Sequence, residues 1–207
     1  IEDFIATNIL TALETFKKSN SIYPRNIIVF REGVSEGQRA TVKSTEVAKM
    51  KEVVDKLRGE DKKAINMVYV CLSKTCNAKF FLALDGKLDF LKLQNPPQGS
   101  YLYREVCSKP EEFYLVCQKT FRGIAGPTSY YILENELTEL RGVNATVVKD
   151  NIANLAFKLS FMYYNTIGAI EIPAPIHYAH KLSTLLSDKS SGSDRIVPHA
   201  HFGSIRS

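Results

Sequence analysis

The chain has 207 residues, 44% hydrophobic and 24% charged, an ordinary globular composition with enough material for one good core, so one domain is the expected count. Its formal net charge of +5 and pI near 8.9 permit a polyanionic partner without establishing one. No apolar run approaches a membrane span and Ile1-Glu2-Asp3 is unlike a signal peptide, so no membrane partner is expected.

The four cysteines, Cys71, Cys76, Cys107 and Cys117, form neither a C-x-x-C pair nor a zinc spacing with histidine, so reduced thiols and a cytoplasmic or nuclear setting are expected. His177 and His180, with His199 and His201, suggest a zinc site only until the cysteines are considered, because none is placed to complete it. Asn144-Ala145-Thr146 has the form of a glycosylation sequon but reads better as helix-capping sequence.

In chain order, Ile5, Ile9, Leu13 and Phe16 recur at helical spacing and Lys17, Lys18 and Asn20 suit a helix C-terminus. A chain that opens in a helix without a preceding strand suggests part of a larger protein. Arg25–Phe30 reads as a buried strand, followed by a helix over 36–57 carrying the stripe Val47, Met50, Val54 and Leu57, ended by Gly59 and the charged 60–63 run. Ala64–Leu72 is a second buried strand and Ser73–Lys79 a polar, basic loop. Phe80–Leu93 suggests a hairpin turning at Asp85-Gly86, and Asn95–Gly99 a loop. Three short strands follow, over 101–107, 113–118 and 129–133. A helix over 146–164 carries Val148, Ile152, Leu155, Leu159 and Met162 as a core stripe. After a break at Ile172-Pro173-Ala174-Pro175, a helix resumes from Ile176 to about Leu186, and the small polar residues from Asp188 onward read as a tail or insertion.

One stretch organises this chain. Pro24–Gln38 sets a short β-type run against an acid, Glu32, and a glycine, Gly33, that can turn the chain sharply; Ser35 and Gln38 then have capping-box spacing. Ligand sites of α/β sheets gather at such strand ends. On these residues alone, the arrangement serves a metal, a phosphate or a plain α/β crossover.

The string RNIIVFREGVSEGQ resembles the R-x-I-I-x-F/Y-R-D-G-V-S-E-G-Q signature of the Argonaute/Piwi family, with Glu32 where the family has its catalytic aspartate. Downstream, IPAPIHYAHKL resembles the family's I-P-A-P-x-Y-Y-A-H-x-L, and EEFYLVC…GPTSYYIL resembles an intervening family segment. The resemblance runs from about Phe4 to Leu186. It implies an α/β, RNase H-like fold with a mixed central sheet flanked by helices. Residues 1–187 would form a partial Piwi domain that lacks the fold's N-terminal strands, and 188–207 a polar tail or insertion.

The resemblance also implies a catalytic and metal-binding role for Glu32 and His180, in a set that would hold Mg²⁺ or Mn²⁺. Two-metal catalysis needs carboxylates and an imidazole in near-octahedral geometry, at about 2.0–2.1 Å from each ion. The family's first aspartate would lie upstream of Ile1, and its glutamate finger falls just before Ile1 unless a short gap makes it Glu2. Glu32 adds a methylene to the family's aspartate, and misplacement by about an ångström can cost roughly a hundredfold in rate. The resemblance with this departure therefore implies small-RNA-guided binding in gene silencing (RNA interference) with weak or absent slicing, and leaves open that no metal is bound. The alternatives are an active slicer completed by upstream carboxylates and a protein-interaction module with a decayed RNA groove.

The implied partners are a small guide RNA, its complementary target RNA, the upstream Mid and Piwi segments of an Argonaute chain, and silencing effector proteins. Candidate nucleic-acid-binding residues are Lys74 and Lys79 after the second strand, Lys119 and Arg122 after the fourth, and Tyr178 and Lys181 near His180. The family's basic Q-K-R-H-x-T-R stretch is represented here by the less charged 72–79. Its guide-anchoring arginine is Leu185, with Lys181 one turn earlier as the available substitute. Ser204-Ile205-Arg206-Ser207 replaces the family's apolar C-terminus, so guide anchoring is expected to differ.

Overall fold

The computed structural model describes residues 2–61, 65–83 and 93–190. The expected turn at Asp85-Gly86, Lys62 and Lys63, the His199/His201 pair and the terminal 204–207 run lie outside the described residues. Helix α1 (Glu2–Asn20) precedes β1 (Asn26–Glu32). A joined helical stretch follows, made of a 3-10 turn (Glu36–Gln38), α2 (Arg39–Val42), a π-helical turn (Lys43–Val47) and α3 (Ala48–Asp61). Next come β2 (Asn66–Ser73), β3 (Leu82–Ala83), β4 (Leu93–Gln94), β5 (Ser100–Leu102), β6 (Glu112–Val116), β7 (Thr128–Asn135), α4 (Glu136–Arg141), α5 (Ala145–Ser160) and α6 (Ala174–Ser190).

The unbroken apolar run of β2 marks a strand covered on both faces, and β2 sits inside a five-stranded sheet of order β1-β2-β7-β6-β5. β1 pairs with β2 in parallel, Asn26 opposite Asn66 through Glu32 opposite Leu72; every other join is antiparallel. Alternate residues of β2 serve opposite layers. Val68, Val70 and Leu72 pack with Phe113, Tyr130 and Ile132 against Val148, Ile152 and Ala156 of α5 and Ile176 of α6. Met67, Tyr69 and Cys71 pack against Val34, Val42 and Val47 on the other side. Helix α1 lies outside this sandwich, its Leu13 buried with Val54, Leu57 and Ile65.

Several boundaries differ from the sequence expectation. The single helix over 36–57 contains a π-helical turn, whose i→i+5 spacing brings Val42 and Val47 onto the same sheet face. A reading that counts steps of three and four cannot register that. The strand over 101–107 shrinks to Ser100–Leu102; Tyr103 leaves the ladder, stacks on Tyr101 at 4.7 Å and takes the Lys149 ammonium over its ring at 4.4 Å. Helix α5 stops at Ser160, four residues early, and Met162 stands exposed rather than in the core. Its start agrees: Asn144 accepts a hydrogen bond from Thr146 N at 2.8 Å, the capping role expected of that triplet. Helix α6 begins at Ala174 with Pro175 in its first turn, where proline costs no hydrogen bond, and runs to Ser190.

No helix was expected between β7 and α5, yet α4 is there. Asn135 caps it by accepting from Thr138 N, and Gly142 ends it at φ 66°. Glu136, its first residue, is buried and central to an ionic network. It accepts from Met67 N at 2.7 Å and pairs with Arg58, which also donates to the Ile65 carbonyl. Neighbouring Glu134 is bound by Lys51 at 2.5 Å and by Lys43 at 3.2 Å. Burial alone would raise the Glu134 carboxyl, but these two lysines outweigh it and hold its pKa below the ordinary range.

Candidate nucleic-acid interface and its acidic centre

Because β1 and β2 are parallel while β7 and β6 alternate, the carboxyl ends of β1, β2 and β6 open on one edge of the sheet. There Glu32 faces Leu72 across the ladder, Ser73 faces Ser129, and Leu115 faces Thr128. Glu32 is the last residue of β1 and Gly33 follows at φ +79°. A Cβ on Gly33 would meet no atom within 4 Å, so backbone conformation alone favours glycine there. The Ser35–Gln38 spacing forms a local cap, Gln38 Oε1 accepting from Ser35 N at 3.0 Å and Ser35 Oγ at 2.9 Å.

The Glu32 side chain is only 13% exposed and both oxygens are engaged. His180 of α6 places Nε2 2.5 Å from Oε2, and Lys74, the residue after β2, places Nζ 3.1 Å from Oε1. The carboxylate thus joins three elements distant in sequence. Beside it runs a cleft of about 500 Å³ between β1, α5 and α6, with Phe30, Leu155, Leu159 and Ile176 in its walls.

Arg31 fixes the backbone from the other side. It donates to the Glu32 carbonyl at 2.6 Å and to Glu46 at 3.1 Å, while Tyr69 OH donates to the same Glu46 at 2.7 Å. Glu46 lies on the π-helical turn. Burial opposes its ionisation, yet the bonds from Arg31 and Tyr69 leave its pKa below the usual carboxylate value; burial pushes the Tyr69 phenol upward. Sequence reasoning did not single out Arg31, Glu46 or Tyr69 as supports. The one available signal was a glutamate placed among residues that otherwise pack a helix on the sheet.

Of the expected binding residues, the structure brings Lys74 to Glu32 and leaves Lys79 exposed farther along the same loop. Lys119 and Arg122 are exposed in the β6–β7 connection on the same edge, with the Lys119 ammonium 5.0 Å over the Phe121 ring. Tyr178 and Lys181 turn to another neighbour: Tyr178 OH accepts from Tyr164 N at 2.9 Å, and Lys181 lies 5.1 Å over the Tyr163 ring. At about 100° per residue, Tyr178 and His180 occupy nearly opposite sides of α6.

On the described residues alone the donor set for a divalent metal is incomplete. Glu32 and His180 offer two donors, the second carboxylate oxygen carries an ammonium, and the described residues contain no cluster of three His, Cys, Asp or Glu able to hold an ion. Among the described residues no helix is long and apolar enough to cross a membrane.

Residues 1–190 match the family model for the Piwi domain. Piwi-like protein 2 of Schmidtea mediterranea is 32% identical over 197 residues, covering 93% of this chain, and protein aubergine of Drosophila melanogaster is 30% identical over 192 residues, covering 91%. The chain spans 22% and 20% of those relatives' lengths. The crystal structure of Drosophila Piwi superposes with a TM-score of 0.67 at 30% identity, over 87% of this chain and 23% of that one. Kluyveromyces polysporus Argonaute, solved with a guide RNA, superposes at a TM-score of 0.70 and 21% identity, over 87% of this chain and 20% of that one, a likeness of fold. With its five-stranded mixed sheet flanked by helices, the fold is the RNase H-like one of these structures, and the chain belongs to the Piwi domain family.

Proposed function

We propose that this chain serves small-RNA-guided gene silencing, holding a guide strand and its complementary target RNA along the sheet edge without efficient slicing. The observation that carries this reading is the acidic centre itself. Glutamate stands in the family motif where aspartate is expected, and its carboxylate is shared between His180 and Lys74. Argonautes have been solved with a guide RNA and with a guide DNA and its target DNA, which supports the same ligand class here.

The physical basis is electrostatic. A strand held by its phosphates needs cations and hydroxyls along a groove, while base pairing reads sequence. Lys74, Lys79, Lys119 and Arg122 lie on loops of the edge that bears Glu32, and Tyr178, Lys181 and the side of α6 that carries them extend the candidate surface. Mg²⁺ or Mn²⁺, in a complete ligand set, would activate water and steady the leaving oxygen; Glu32 and His180 do not make such a set. The Mid and remaining Piwi segments of the protein would complete the groove, and silencing would proceed through recruited effector proteins.

Guide-directed cleavage by the protein tests this reading. Unaltered protein is expected to leave a paired target intact over many binding lifetimes, while Glu32→Asp, which shortens the carboxylate reach, is expected to raise cleavage by about a hundredfold wherever the other carboxylates are supplied. Rapid cutting by the unaltered protein would instead support the active-slicer reading, for which the 2.5 Å approach of His180 to Glu32 is the favouring observation.

A further inference from the structure

A second cavity of about 500 Å³ lies on the same edge of the sheet, between the turn after β1, the start of α2, the loop after β2 and the start of β7. Its polar lining includes Arg39 and the hydroxyl residues Ser35, Ser73, Thr75 and Ser129. Arg39 is unusual there. Its guanidinium stacks over the Tyr131 ring at 3.9 Å, its Nε is sealed from solvent without a partner, and it donates no hydrogen bond to any described residue. A cation with one face covered and its donors unspent is prepared for a planar or tetrahedral anion. The acid at the cavity rim, Glu36, is hydrogen-bonded to Lys109, and it feels the Arg39 charge only through space.

We infer that this cavity is a phosphate subsite, with Arg39 gripping one backbone phosphate of a single-stranded nucleic acid and the hydroxyls of Thr75 and Ser129 completing its hydrogen bonds. The inference rests on the nucleic-acid-binding reading above and assigns a contact which that reading lacks. Continuity favours nucleic acid over a phosphorylated peptide: Ser73 and Thr75 flank Lys74, so a strand that reaches Lys74 passes the cavity mouth. Arginine and hydroxyl side chains are the groups that ordinarily hold backbone phosphates. The cavity is separate from the cleft beside Glu32 that lies between β1, α5 and α6.

Binding of a 5′-phosphorylated single-stranded RNA, followed by fluorescence anisotropy across a salt series, tests the inference. Arg39→Ala and Arg39→Gln are each expected to weaken binding about tenfold and to lower the slope of log Kd against log salt by about 0.7, with an unchanged melting temperature showing that the variant is folded. A scan of single methylphosphonate linkages requires no protein variant: one linkage is expected to cost the unaltered protein about tenfold, and Arg39→Gln is expected to lose that sensitivity. Salt-dependent binding that is identical in folded Arg39 variants, or a linkage profile that Arg39→Gln leaves unchanged, overturns the subsite while sparing the broader function. Salt-independent or absent RNA binding by the unaltered protein overturns both, and displacement of a bound phosphoserine peptide by phosphate but not by RNA would assign the cavity to a different partner.

Discussion

Glu136→Ala is expected to cost about 3–5 kcal/mol of unfolding free energy. The side chain is 4% exposed and serves three partners: the Met67 amide at 2.7 Å, the Arg58 guanidinium, and Lys51 at 3.8 Å. Truncation strands a central-strand amide in the interior and removes the acid from a guanidinium that is itself only 19% exposed. Glu52→Ala is the matched control. Its lysine partners, Lys49 and Lys56, are neighbours on the same helix and Glu52 itself is half-exposed, so the change is expected to leave the unfolding free energy nearly unaltered. Urea unfolding measures both, and a loss below about 1 kcal/mol for Glu136→Ala would show that the α4–β2 junction is held by packing alone.

The second large effect concerns the edge of the sheet. Changing Lys74, Lys79, Lys119 and Arg122 together to alanine removes four cations from the loops after β2 and β6. If each meets one phosphate of a single strand, the slope of log Kd against log salt falls by up to about 2.8, at about 0.7 per contact. Near physiological salt this corresponds to a loss of at least about a hundredfold in affinity. These residues are exposed, so the variant is expected to melt like the parent. An unchanged salt slope would place the nucleic acid elsewhere and favour an interaction module with a decayed groove.

Much of the architecture is legible before any coordinates. β2 announces itself by the run from Met67 to Leu72, which leaves no polar face. Helix α1 shows its Ile9–Leu13 stripe, and α5 its Val148–Ile152 stripe with an asparagine cap. The motif strings carried Glu32 and His180 to the same place despite a sequence separation of 148, which no periodicity argument could do. What remained hidden is tertiary or too short. Helix α4 has six residues, fewer than two turns, and only Asn135 and Gly142 marked its ends. The π-helical turn depends on Glu46 meeting Arg31 and Tyr69, three residues from three elements. Lys74 is the sharpest case. Sequence position assigns it to a phosphate, whereas in the fold its ammonium lies on Glu32, because parallel pairing brings the ends of β1 and β2 together.

Lys74 can balance the charge of Glu32 or of a nearby phosphate, because its own side chain is 42% exposed and Glu32 keeps His180 as a second partner. On the proposed function, binding would draw on the same residues that occupy the acidic centre, while Arg31, Glu46 and Tyr69 keep the backbone beneath them fixed.

The most direct test is a single-turnover experiment in which the guide-loaded protein is mixed with a labelled complementary target in Mg²⁺ and both retention and length of the target are followed. The target is expected to be retained in a salt-sensitive manner and to stay full length. Retention followed by a single cut within the paired region, or no guide-dependent retention at all, would contradict the proposed function.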